Sequence, residues 1–320
     1  MKYRLGLLGV VAACLAVAPA MAQEVTLRAV NSFAEGSAFA KPFEEFIAKL
    51  NAEGKGVLQI NYIGGPKAMP PFEVGNAVKT GVVDIGNATS AFYTNLLPEG
   101  NALWLATRTI QEQRQNGAWE FVNKLHNEKM NVWYLGRSGD GIPFHLYLTK
   151  AIDKPDLAGL TIRVTPVYRP FFTALGATLV QTPPGEVYTA LERGVVQGYG
   201  WPVQGIFDLG WQERTKYRVD PGFYSVDVGV LVNLDRWKKL NQAQQELLTK
   251  TVIWMEGLSA RNVELNAAEL KRQGEAGIQP ITFTGPAADK WLATAADAGW
   301  AYVKQVAPEN ADRLRALLTK

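Results

Sequence analysis

The sequence predicts an α/β protein of two lobes, each a sheet flanked by helices, joined by crossing strands and a long helix. Three observations lead there. Short apolar or alternating runs recur between amphipathic helical stretches, the β-α-β-α-β order that builds a largely parallel sheet with helices on its faces. The series occurs twice, once before residue 90 and again in the middle of the chain. A long helical stretch, Asn241 to Gly274, broken only at Gly257, follows the second series. With 320 residues the chain can form two domains with cores of their own. A 47% hydrophobic and 20% charged composition is that of an ordinary globular protein.

In the first series, VTLRAV (25–30) alternates as a half-buried strand does, and FAKPFEEFIAKLN (39–51) spaces its apolar residues three and four apart, as a helix does. VLQINYI (57–63) is a second strand. FEVGNAVKTG (72–81) is a short helix closed by Gly81, and VVDIGNAT (82–89) a third strand. Thr109 to Glu128 reads as one helix and MNVWYLG (130–136) as a strand. The Gly-rich stretch Ser138 to Pro143 suits a crossing between lobes. LYLTKAI (146–152) and LTIRV (160–164) read as strands, Tyr168 to Leu175 as a helix, ATLVQT (177–182) as a strand, and GEVYTALERG (185–194) as a helix ended by Gly194. VVQGYGWP (195–202) is a strand ending in a bend, VGVLVNL (228–234) a wholly apolar strand, and Ala287 to Leu318 a helical tail. The implied division is a leader over 1–22, one lobe from 23–140 with 229–268, and another from 141–228 with 269–320.

The N-terminus has the layout of a secretory signal peptide: Lys2 and Arg4, then an apolar run from Leu5 to Ala18, then Ala20-Met21-Ala22 as an A-x-A cleavage site. The run is shorter than the roughly 20 residues a membrane-crossing helix needs. Val11-Ala12-Ala13-Cys14 loosely resembles a lipobox, but apolar residues continue past Cys14, and cleavage after Ala22 is favoured. The mature chain then has no cysteine, hence no disulfide, thiolate catalyst or cysteine metal site. A formal net charge of +3, with no Lys/Arg run of five or more, argues against a nucleic-acid or membrane-surface partner.

Catalytic signatures are absent. There is no H-E-x-x-H, G-x-S-x-G or G-x-x-x-x-G-K-[ST], and only two histidines, His126 and His145. His126, in the polar run KLHNEK, is expected at a solvated helix end. The expectation is a binding protein without catalytic residue, cofactor or metal, acting as a monomer.

Several stretches in this order are similar to the solute receptors of tripartite ATP-independent periplasmic (TRAP) transporters, of the C4-dicarboxylate-binding type. KPDLAGLTIRV resembles that family's proline-acidic-leucine-x-glycine-leucine-x-isoleucine-arginine segment. TALGATL with GEVYTALERGVVQGYGWP resembles the block after it, and FEVGNAVKTGVVDIGNAT the helix-strand unit of its first lobe. The resemblance implies a two-lobed clam that closes on a small organic acid in the periplasm and passes it to integral membrane subunits. It also implies that Arg163 meets the ligand carboxylate. A guanidinium is a flat, permanently charged fork that bonds both oxygens of a carboxylate. Arg137 and Arg169 compete with it on pattern alone; the match at LAGLTIRV singles out Arg163.

The sequence departs from the family pattern at two places. Where many relatives carry a second arginine, Gly141-Ile142-Pro143-Phe144-His145 puts His145, which favours a monoanion over a dicarboxylate. Where relatives carry glutamate, Gly200-Trp201-Pro202 lacks the likeliest cation ligand and offers Trp201 as an apolar wall. Strand-end residues Asn31, Ser32, Asn87, Thr89 and Ser90, with Tyr199 and more weakly Tyr224, complete the candidate ligand contacts. Rival readings are an ATP-driven (ABC) transporter's receptor, a receptor feeding a sensor kinase, or a periplasmic enzyme acting on carboxylates.

Overall fold

The computed structural model describes residues 24–320. The leader, with Cys14 and the cleavage site after Ala22, lies outside the described residues. The chain begins with β1 (Val25–Asn31), α1 (Lys41–Glu53), β2 (Leu58–Gly64), α2 (Val74–Thr80) and β3 (Ile85–Thr89). α1 starts with Pro42 in its first turn, where a missing N–H costs nothing, and buries Phe43, Phe46, Ile47 and Leu50 at helical spacing. The stretch expected as one helix from Thr109 is two: α3 (Ile110–Asn116), opened by a Thr109/Glu112 capping box, and α4 (Ala118–Met130). Gly117 separates them at φ 84°, a left-handed conformation that glycine adopts without the steric cost of a side chain. β4 (Val132–Ser138) then closes this part of the chain.

The second part contains β5 (Pro143–Leu148), β6 (Thr161–Val164), α5 (Arg169–Ala174), β7 (Thr178–Gln181), α6 (Val187–Glu192), β8 (Gly198–Pro202) and β9 (Tyr217–Ser225). The strand expected over 146–152 thus starts three residues earlier, at Pro143. After β9 come β10 (Val228–Asn233), α7 (Leu234–Lys239), α8 (Gln242–Gly257), α9 (Asn262–Glu275), β11 (Gln279–Thr282), α10 (Pro286–Val306) and α11 (Ala311–Leu318). A 3-10 turn at Leu258–Arg261 interrupts the long helical stretch just after Gly257.

Two sheets result, ordered β2-β1-β3-β10-β4 and β11-β9-β5-β8-β6-β7. They are mixed rather than largely parallel. β10 is antiparallel to β3 and β4, and β5 is antiparallel to β8 and β9. The burial of all six residues of β10 between two strands accounts for its unbroken apolar sequence. β9 and β11 escaped the sequence reading because YRVDPGFYS is interrupted by Asp220-Pro221, and QPIT is short, exposed and begins with Gln-Pro.

The chain crosses between sheets at residues 139–142, at residues 226–227, and along α8–α9. The first crossing holds a buried Arg137–Asp140 ion pair at 2.6 Å, and Asp140 Oδ2 also accepts the Ile110 N–H. At the second, the buried Asp227 accepts the Ser90 N–H at 3.1 Å and the Thr89 hydroxyl at 3.3 Å. Burial raises the Asp227 carboxyl to about 6.

His126 is not at a solvated helix end. It is fully buried, with Nε2 3.2 Å from the Tyr93 hydroxyl, Nδ1 2.8 Å from the Val122 carbonyl and its ring 4.7 Å from that of Tyr134. The polar letters around it belong to the outer face of α4, while Phe121, Val122, Leu125 and His126 form the inner one. Among the described residues, no helix is long and apolar enough to cross a membrane.

Candidate functional site

The carboxyl ends of β1 and β3 in one sheet and of β6 and β8 in the other meet across a gap, the place where open α/β sheets bind ligands. The gap encloses a cavity of about 520 Å³, walled by Ser32, Phe33 and Phe39 from one half and by Pro183, Pro184 and Trp201 from the other. A smaller space of about 30 Å³ lies between Thr89, Phe92, Thr165, Tyr168 and Trp201. Trp201 borders both. Its indole stands edge-on to Phe39 at 5.9 Å and to Trp211 at 4.6 Å, and its buried Nε1 has no hydrogen-bond partner. The charged residues bordering the larger cavity are Glu35, Glu186, Asp208 and Lys67, three carboxylates against one ammonium.

Sheet register sets the position of Arg163. It pairs with Val180 on β7 and with Tyr199 on β8. Two residues further along each neighbour, on the same face, come Thr182 and Trp201. The Thr182 carbonyl accepts from Nε at 3.1 Å and from Nη2 at 2.6 Å. The guanidinium carbon lies 5.7 Å from the Trp201 ring and 6.0 Å from Trp211. Arg163 is fully buried and Nη1 has no partner. Arg114, Arg137 and Arg218 each pair with a carboxylate, whereas none stands within ion-pair distance of Arg163 among the described residues. Burial pushes its pKa down to about 10, against smaller opposing influences from Tyr168, Tyr199 and Glu186.

This refines the expected geometry. The side chain forms the wall of neither cavity; it lies behind Trp201, which borders both. Its Nε/Nη2 edge is already committed to Thr182, so the edge left for an anion is the end formed by Nη1 and Nη2.

The other candidates divide. Ser32 and Trp201 border the larger cavity, with Ser32 Oγ donating to the Pro71 carbonyl at 3.3 Å. Thr89 borders the smaller one. Asn31 and Asn87 sit behind the wall. Asn31 Oδ1 accepts from the Phe33 N–H and from Asn87 Nδ2, each at 3.0 Å, and Asn87 Nδ2 also donates to the Phe39 carbonyl. They hold Phe33 and Phe39 in place while Asn31 Nδ2 and Asn87 Oδ1 remain buried without partners. Ser90 is buried beside them, its Oγ also unpartnered.

His145 and Tyr199 line neither cavity. His145 Nδ1 is 3.0 Å from both the Val219 carbonyl and Asp220 Oδ1. Burial opposes ionisation of Asp220, but hydrogen bonds from Arg218 and His145 prevail and hold its carboxyl at about 2. His145 is thus part of a buried network on β5 and β9, because its place in the strand turns it away from the gap. Tyr199 donates or accepts at Thr215 Oγ1 (2.7 Å) and stacks on Tyr147 at 5.1 Å in the core. Tyr224 donates to the Ala295 carbonyl at 2.7 Å, also outside the gap. Of the competing arginines, Arg137 is occupied by Asp140, and Arg169 is exposed and bonds Gln181. The sequence reading missed Phe33, Phe39, Thr182, Pro183, Pro184 and Asp208. Thr182 and its prolines immediately follow a strand, a position that the strand-end rule singles out.

Residues 30–305 match the family described as bacterial extracellular solute-binding protein, family 7. A curated relative from Nostoc sp., the monocarboxylate 2-oxoacid-binding periplasmic protein, is 28% identical over 225 residues. That match covers 65% of this chain and spans 60% of the relative's length. Among solved structures, a TRAP periplasmic solute-binding protein of Desulfovibrio salexigens with bound orotic acid aligns with a TM-score of 0.81 at 19% identity, over 92% of this chain and 97% of that one. A Bordetella pertussis extracytoplasmic solute receptor binding pyroglutamic acid aligns with a TM-score of 0.81 at 17% identity, over 92% and 99%. A marine-metagenome TRAP solute-binding protein with 3-hydroxybenzoate gives 0.79 at 19%, over 93% and 97%. These likenesses establish the two-sheet fold with its long helix. With the family match covering most of its length, the chain belongs to the bacterial extracellular solute-binding proteins of family 7, a family of binding proteins and not of enzymes.

Proposed function

We propose that the chain is the periplasmic receptor of a TRAP transporter, exported by cleavage after Ala22, which captures a small organic acid with one carboxylate between its two halves and delivers it to integral membrane subunits. The two halves correspond to 23–140 with 229–268 and 141–228 with 269–320. The observation that carries the reading is Arg163, a fully buried guanidinium with no carboxylate at ion-pair distance among the described residues and with Nη1 unpartnered. Such a group is stabilised by an incoming anion, and the gain grows as water is excluded. On this reading Trp201 must turn aside for an acid in the cavity to reach the Nη1/Nη2 edge.

Two features favour one carboxylate over the two of a C4-dicarboxylate. His145, at the sequence position of a second cation in relatives, is engaged with Asp220. The cavity's own charges are mostly acidic, so a second carboxylate would face Glu35, Glu186 and Asp208. The wall of Phe33, Phe39, Trp201, Pro183 and Pro184 suits a flat or largely apolar body. The relatives' ligands agree: monocarboxylate 2-oxoacids, orotic acid, pyroglutamic acid and 3-hydroxybenzoate.

The test is a thermal-shift and tryptophan-fluorescence screen with pyruvate, pyroglutamate, orotate and 3-hydroxybenzoate against succinate and malate. A ligand at a hundred times its Kd adds about 2.7 kcal/mol, a rise of roughly 4 °C for a chain of this size. At least one monocarboxylate is expected to do this and to change the tryptophan emission, a change that Trp201→Phe should abolish. A larger shift from succinate or malate overturns the monoanion reading.

A further inference from the structure

Asp208 belongs to the turn that follows β8, in the second half of the molecule. Its Oδ2 accepts the Ala38 backbone N–H at 2.9 Å, across the gap, 170 residues away in sequence. Ala38 opens the turn that leads into α1, where Ala40 and Lys41 donate back to the Ser37 carbonyl. The carboxylate thus ties, from the opposite half, one backbone N–H of the turn that precedes α1. Nearby, Gly205 brings Asp208 Oδ2, Trp201 Nε1 and the Phe39 ring together around one α-carbon, so the bond lies beside the Phe39–Trp201 contact that also spans the gap. Asp208 borders two spaces, the 520 Å³ cavity and another of about 320 Å³ on the side of α8 and α9.

We propose that Asp208 is the positioning residue that fastens the two halves, its bond to the Ala38 N–H latching the gap shut in front of Trp201. It touches no part of the anion edge of Arg163; it acts by holding Ala38 and Phe39 against the second half. The inference rests on the two-half capture reading but not on the identity of the acid. The part of Asp208 that the latch uses directly is the oxygen that accepts from the Ala38 N–H. Asparagine supplies that oxygen as well; alanine supplies nothing.

The experiment is a spin-label distance measurement between Lys55→Cys on the first half and Arg193→Cys on the second, both exposed positions, in the mature chain. It is run in the parent, Asp208→Asn and Asp208→Ala backgrounds, without ligand and with saturating pyruvate, pyroglutamate, orotate or 3-hydroxybenzoate in turn. The ratio of short-distance to long-distance populations is expected to fall about tenfold in Asp208→Ala and to stay close to the parent value in Asp208→Asn. Circular dichroism confirms that all three fold. Equal ratios in Asp208→Ala and the parent under every condition overturn the latch, as does an asparagine variant as open as the alanine one. The capture reading is judged separately, on the parent alone: it fails if none of the acids shortens the parent's distance.

Discussion

Replacing Arg163 with methionine separates what the guanidinium costs the fold from what it does for binding. Its pKa falls from 12.5 to about 10 on burial, which corresponds to about 3 kcal/mol of disfavoured charge. The folded value lies below the unfolded one, so the penalty is fully present at pH 7 and is relieved only as pH climbs from about 10 toward 12.5. Methionine removes that cost and fills most of the volume, but it leaves the Thr182 carbonyl without donors, a loss of about 1–3 kcal/mol. The two effects nearly cancel, so urea unfolding of Arg163→Met without ligand should stay within about 2 kcal/mol of the parent. Binding behaves differently. Truncating one partner of a buried, hydrogen-bonded charge pair costs about 2–5 kcal/mol, a roughly thirtyfold to several thousandfold rise in Kd. Urea titration and calorimetry with the best acid from the screen measure both quantities on one preparation. A variant destabilised by more than about 4 kcal/mol that still binds with parental affinity would refute the reasoning, because Arg163 would then be a structural group.

Two further substitutions test the surroundings. Gly205→Ala places a methyl group 3.1 Å from Trp201 Nε1 and 3.2 Å from the Phe39 ring at φ 93°; a loss of about 1–3 kcal/mol in stability together with weaker binding is expected, and parental values for both would mean that the junction is slack. His126 is held down from 6.5 to about 4 by burial, so the unfolded chain takes up its proton first. This contribution to stability, about 3 kcal/mol, should be intact at neutral pH, decline as pH falls below 6.5 and be exhausted below about 4; denaturation of His126→Gln should lack that decline, and parallel pH profiles for parent and variant would contradict it.

Local periodicity made most of the fold legible. α1, β10 and the helix-strand unit ending at Thr89 follow from spacing and burial alone. The parallel sheet expected from β-α-β order was wrong where it mattered, because antiparallel insertion of β10 and β5 depends on contacts far apart in sequence. The resemblance singled out Arg163 and Trp201; Trp201 borders the cavity, whereas Arg163 lies behind it, its guanidinium carbon 5.7 Å from the indole ring. His145 was misplaced because sequence spacing does not say which face of β5 a residue occupies relative to the gap. Thr182 and Asp208 were invisible for a different reason. One acts through a main-chain oxygen that any residue possesses, and the other is one surface acid among many until the halves are set together.

The placement of β10 bears on how the molecule is assembled. It is the only strand joining β3 to β4, and it arrives after the whole of β5–β9 has been threaded through the other sheet. A fragment ending at residue 140 would therefore leave two strand edges bare, inviting intermolecular pairing rather than a stable half. α10 adds a return tie, packing on residues 98–105 and on α5 at once. The first sheet has all its strands only once residue 233 has been made, and the second only at residue 282, so neither is complete before the last third of the chain.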